Sequence, residues 1–201
     1  MSLVGSVPWP TATTAGATSI LVLLVAVLPS TDAVLPFVGR IAELALAGGA
    51  AYLIDDAAAS LTTVMPKGTW RRRWPMLAAG TVVLACGWTA VLLVLTWRDA
   101  GPRTFPATGE LVVLGLAALA AAAVMVRNGD SEPGARVGPV LVLLGLGLVI
   151  VESAIHRPIL VPWDDAPTIG LLSAWAGVGL LSLLVAVWAL RDPAAGPALT
   201  R

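Results

Sequence analysis

Charge is scarce in this sequence. Asp, Glu, Lys and Arg make up 12% of its 201 residues, about half of what a soluble domain carries. The twelve acids and twelve bases cancel, so no basic field is offered to nucleic acid. There is one cysteine, Cys86, inside an apolar run. It can form no internal disulfide and has no ligand partner nearby, so a small buried side chain is the plain expectation. His156 is the only histidine, and it has no Ser or Cys beside it. The patterns GxxxxGK[ST], GxSxG and HExxH are all absent. The chain therefore cannot cradle ATP phosphates in the usual way, and no enzyme signature is present. No basic region precedes the first apolar run in "MSLVGSVPWP", so a cleaved signal peptide is not expected. Strand-like alternation of polar and apolar residues is missing as well.

What is present is apolar length. Hydrophobic residues are 58% of the chain, and the mean hydropathy is +0.90. A helix needs about 20 apolar residues to cross the hydrocarbon core. Six segments approach or reach that length: 13–28, 36–54, 75–97, 108–126, 137–155 and 168–190. Lipid leaves no water to satisfy open backbone groups, so these are expected to be helices. The expectation is an all-α polytopic bundle, one transmembrane domain over 1–201, in the cell membrane. Short connections make consecutive helices antiparallel neighbours. The longest connection is 55–74.

Lys and Arg set the expected orientation. With the N-terminus inside, Lys67, Arg71, Arg72, Arg73, Arg127, Arg136, Arg191 and Arg201 are cytoplasmic. Arg40, Arg98, Arg103 and Arg157 face outward. Both termini are thus expected in the cytoplasm. Trp70, Trp74 and Trp188 then fall at inner ends and Trp97 and Trp163 at outer ends, where amphipathic rings sit well. Trp88 and Trp175 lie mid-span and are expected to pack between helices. Stripes of small residues, "LALAGGAA", "GLAALAAAA", "GLGL" and "AGVG", let helix backbones approach closely in lipid. They could equally pack on a second copy or another subunit.

Charges inside spans are expensive, which makes each a candidate for function. Arg40 and Glu43 lie one turn apart in the second span, Glu110 opens the fourth, and Glu152, His156 and Arg157 close the fifth. All six are expected near the outer leaflet, where opposite charges would pair. A structural ion-pair cluster, interfacial snorkelling, an outer gate and a cation or proton site all remain open. A metal site from Glu43, Glu110, Glu152 and His156 has little support, with one His and no ligand-type spacing.

The densest charge lies in the long connection. Asp55 and Asp56 can cap a short helix over the Ala-rich stretch that follows. Pro66 and Gly68 break it. Trp70, Arg71, Arg72, Arg73 and Trp74 then anchor re-entry to the membrane. An anchor alone needs neither the acid pair nor the helical stretch, so the segment is expected to offer a surface to a cytoplasmic partner.

A second span ending "AAYLIDD", an Ala-rich stretch, a Pro and a "WRRR" start to the third span resemble small six-helix actinobacterial permease-like proteins, which in turn are similar to the permease subunits of type-2 ABC exporters. The resemblance is densest over 50–75. It implies a non-enzymatic permease subunit whose 55–73 segment docks on a separate ATPase. Asp55, Asp56, Leu61, Val64 and Lys67 would form that docking surface. It also implies ATP and Mg on the partner rather than on this chain, and pairing with a second copy or a sister permease. Two other readings stand beside it: a membrane scaffold or accessory subunit, and an ion-coupled carrier using the outer carboxylates.

Overall fold

The computed structural model describes residues 9–28, 34–55, 69–98, 104–130, 132–155, 159–160 and 167–190. Among them there is only helix, turn and short connection, with no strand. The elements are α1 (Trp9–Val27), α2 (Leu35–Gly49) with a tighter 3-10 continuation (Ala50–Ile54), α3 (Thr69–Trp97), α4 (Thr104–Arg127), α5 (Gly134–Ile155) and α6 (Ile169–Leu190). All six are long and apolar enough to cross a membrane once the 3-10 turn is counted with α2.

Four helix starts differ from the expectation by three residues or more, with α4 beginning at Thr104 rather than near 108 and α5 at Gly134 rather than near 137. α1 starts at Trp9 rather than near 13. α3 starts at Thr69, so Trp70, Arg71, Arg72, Arg73 and Trp74 belong to its first turns and not to a loop. Arg and Trp are competent helix formers, Gly68 is the last strong breaker before them, and membrane helices tolerate an internal proline such as Pro75.

Consecutive helices run antiparallel. The Thr11 hydroxyl at the start of α1 donates to the Gly49 carbonyl at the end of α2, 3.3 Å away. Trp88 Nε1 in α3 donates to Thr108 Oγ1 at the start of α4, at 3.0 Å. α4 and α6 lie side by side in the same sense: Gly179 faces Val113, and Arg127 Nη1 donates to the Trp188 carbonyl at 3.0 Å. One end of the bundle therefore gathers Arg40, Glu43, Glu110 and Glu152. The other gathers Asp55, the start of α3, Arg127 and the α4–α5 turn.

Burial follows the logic of lipid rather than water. α2 has the lowest hydropathy of the six spans, 1.4, yet 72% of it is buried; α6, at 2.1, is 11% buried. α2 touches α1, α3, α4 and α5, whereas α6 packs chiefly on α4. A polar helix gains from protein partners and a uniformly apolar one loses nothing by facing acyl chains. Around α2 the core divides into two clusters. One holds Leu46, Trp88, Val91 and Leu95, the other Leu53, Ile54, Ala118 and Ala122. Trp88 is buried, as a mid-span packing residue should be. Trp175 is half-buried, its Nε1 donating to the Ile159 carbonyl at 3.3 Å. Cys86 is exposed, not buried: it lines an open groove beside Ala15 and Ser19 of α1, where Gly87 makes the close contact with Ala15.

α2 and α5 approach each other closely. Leu44, Gly48 and Tyr52, spaced by one turn on α2, face Gly145, Gly138 and Gly134 on α5. A Cβ on Gly138 would lie 2.9 Å from Tyr52 Cε2, and one on Gly145 would collide with the Leu44 side chain. Glycine is required there for room. At Gly129, with φ 95°, it is required for backbone. That residue ends α4 in a Schellman turn, with Gly129 N bonded to the Val126 carbonyl and Asp130 N to the Met125 carbonyl, both at 3.0 Å.

Candidate functional site

Two polar contacts hold the two ends of α2. The first is built on Arg40, in the second turn of α2. Glu43 is three residues on, hence on the same face. Glu110 is in the second turn of α4, which packs beside it. Arg40 Nη1 lies 2.8 Å from Glu43 Oε2 and 2.5 Å from Glu110 Oε2. Both glutamates are 1% exposed, and the Arg40 side chain 14%. Each residue has further interactions beyond these two bonds. A guanidinium between two carboxylates, withdrawn from water, is a strong short-range tie between α2 and α4.

The expectation that Arg40 meets Glu43, Glu110 or Glu152 thus resolves in favour of the first two. Glu152 is half-buried at the end of α5, and among the described residues it takes part in no ion pair. His156 and Arg157 lie outside the described residues. Among the described residues, no group of three His, Cys, Asp or Glu side chains is placed to hold a metal.

The second contact is at Asp55. Its backbone leaves the 3-10 turn in an extended conformation, φ −64° and ψ 128°. Its Oδ1 accepts a hydrogen bond of 2.8 Å from the Gly134 N–H, at the first residue of α5. Sequence proximity had suggested that Asp55 would cap the stretch just after it. Its carboxylate serves a helix start 79 residues away, and the stretch just after it lies outside the described residues. The local reason is that α5 opens with "EPG", and Pro133, just before Gly134, has no side-chain acceptor. Tyr52 and Asp55 close over Gly134 so tightly that a Cβ there would lie 2.6 Å from Asp55 Oδ2 and 2.8 Å from Tyr52 Cα. Burial pushes the Asp55 carboxyl up to about 6, and nearby Glu132 and Asp130 add to the rise, while the bond from Gly134 works against it. Asp130 is itself engaged, 2.9 Å from Arg136 Nη1.

Of the expected docking surface, Asp56, Leu61, Val64 and Lys67 lie outside the described residues. The backbone of Trp70, Arg71, Arg72 and Arg73 is helical, and Trp74 is exposed. At the same end of the bundle, Arg127 stacks on the Trp188 ring, 4.2 Å from its centroid.

Sequence reasoning missed Tyr52, Gly134 and Gly138. Two signals pointed there: the small-xxx-small pair in "GARVG", and a helix start that lacked its own cap and so needed one from elsewhere.

No protein-family model matches this chain, and neither do any curated protein or solved structure.

Proposed function

We propose that this chain is the membrane-spanning permease subunit of an ABC-type exporter, driven through residues 55–73 by a separate cytoplasmic ATPase. The observation that carries the reading is the pair of polar contacts at opposite ends of the most buried helix. α2 is tied to α4 by Arg40–Glu110 and to α5 by Asp55–Gly134. Alternating access needs an element with two discrete arrangements, each held by contacts that can break and re-form. A force applied to the segment that leaves Asp55 would reach α2 and α5 together. With no phosphate-cradling motif in the sequence, an ATP-driven mechanism would take its energy through a partner, where ATP and Mg would bind.

Affinity purification of the full chain under mild detergent tests this. The wild type should retain a nucleotide-binding subunit with ATPase activity. Leu61→Asp with Val64→Asp should insert normally but lose that subunit, since buried apolar anchors carry most interface energy. If the wild type retains no nucleotide-binding subunit, or the double variant retains it in full, the segment is an anchor and the reading fails.

A second reading, an ion-coupled carrier, has the buried carboxylates of Glu43 and Glu110 in its favour. Flux into proteoliposomes that follows a proton or cation gradient without ATP would select it.

A further inference from the structure

α2 touches both α3 and α4, yet α3 and α4 make few close approaches to each other. The space between them is an apolar cleft in two joined parts. One, of about 260 Å³, has Leu46, Ala47 and Ala50 of α2 as its floor and ends at Trp88 and Thr108. The other, of about 540 Å³, continues past Trp74 and Leu77 of α3 to Val187 and Leu190 of α6. Leu53, Thr81, Leu116 and Leu119 line both. The larger part has the volume of a small-molecule site. The walls offer nothing to a polar solute. The Thr81 hydroxyl donates to the Leu77 carbonyl of its own helix at 2.7 Å, and Thr108 Oγ1 receives Trp88 Nε1.

The cleft runs along α3. From Trp74 to Trp88, α3 rises ~21 Å, against ~15 Å for one leaflet's share of the hydrocarbon core. A void of that shape facing lipid forfeits dispersion contacts and is filled by whatever chain lies beside it. What makes it a site is its basic end. The backbone of Arg71, Arg72 and Arg73 forms the helical turn directly before Trp74, which lines the cleft. On α4 the exposed Arg127 is held over Trp188, next to the lining residue Val187. Of the described acids at that end, Asp55 is turned to Gly134 and Asp130 to Arg136, while Glu132 is exposed on the α4–α5 turn.

We infer that the α3–α4 cleft binds one acyl chain of an anionic glycerophospholipid, with the headgroup at the arginine end. The site stands whether or not the chain is an exporter. Lipid tails are as apolar as leucine, so the chain is held by fit and the headgroup supplies the preference.

The full chain is reconstituted in phosphatidylcholine nanodiscs. These are doped with phosphatidylglycerol carrying a mid-chain diazirine, or with phosphatidylcholine carrying the same chain, then photolysed and peptide-mapped. Phosphatidylglycerol should label the cleft about fivefold more than phosphatidylcholine, the preference that ~1 kcal/mol from one basic residue gives. Arg127→Gln should reduce that ratio. Thr81→Phe with Ala85→Phe, both on exposed cleft-lining positions, should lower cleft labelling about tenfold as the rings occupy the chain's place. Labelling of the outer faces of α1 and α6 should not change. Cleft labelling no stronger than on those outer faces, or insensitive to the Thr81/Ala85 change, overturns the inference. So does a cleft that neither lipid labels, which would mean that protein covers it.

Discussion

At one end of α2 a cation sits between two carboxylates; at the other a single carboxylate meets a helix N-terminus. Both contacts join α2 to a neighbour, but they differ in kind. Glu43 and Glu110 are almost wholly withdrawn from solvent, so breaking their tie strands charge in a medium that cannot solvate it. Asp55 is half-buried and bonded to a neutral amide. Its bond can open to water, and its charge can be discharged by a proton. The Arg40 end is therefore the rigid fixture and the Asp55 end the adjustable one, which suits a helix driven from the Asp55 side.

The largest effect should come from the rigid end. Arg40→Ala should destabilise the bundle by about 3–5 kcal/mol, the usual cost of orphaning buried charge. Thermal unfolding in detergent is the measurement. In a double-mutant cycle Arg40 and Glu110 should couple by about 1–3 kcal/mol, whereas Arg40 and Glu152 should add to within about 0.5 kcal/mol. Equal coupling in both cycles would erase the distinction between the two glutamates.

Between the two ends runs the glycine seam. Gly145→Val drives a side chain into Leu44 and should cost about 1–3 kcal/mol. Gly147→Val, with nothing within 4 Å of its Cβ position, should stay within about 0.5 kcal/mol of wild type. A seam that tolerated both would not be holding α5 to α2.

At the adjustable end the effects are smaller and depend on pH. Asp55→Ala removes a helix cap and should cost about 1 kcal/mol. The folded-state pKa of Asp55, about 6, lies above the value near 3.9 of an unfolded chain. Between those values the folded protein binds a proton that the unfolded chain does not. Its contribution to stability should therefore fall as pH rises from about 4 through about 6, and level off above. Asp55→Asn keeps the acceptor oxygen and removes the charge, so the variant's stability should change less over that range. If melting curves for wild type and Asp55→Asn track each other across it, Asp55 is not the titrating group. A further small effect at this end belongs to Thr11→Val, which removes one hydrogen bond to Gly49 and should cost about 0.5–1 kcal/mol.

The all-helical fold and all six spans could be read directly from the sequence. Apolar length alone decides them, because an isolated segment in lipid has no alternative to the helix. The pairing of Arg40 with Glu43 could be read too, from helical spacing. Glu110 could be named as a candidate but not chosen over Glu152, since both open or close a span at the same end. That choice depends on which helix lies against α2. The first turns of α3 look like loop in a hydropathy pattern, where charge resembles a connection, although arginine is a good helix former.

By itself, the sequence determined the number of helices, their alternation, and that its few intramembrane charges had to find partners. Those outcomes follow from local composition and from the bilayer's refusal to solvate polar groups. Only the tertiary structure decided that α2 is the buried post, that Asp55 reaches across to Gly134, and that α3 and α4 stand apart to leave a cleft. These depend on which faces of six apolar helices meet. In lipid that choice rests on the fit of small residues such as Gly138 and Gly145 against Tyr52 and Leu44, and hydropathy carries no record of it.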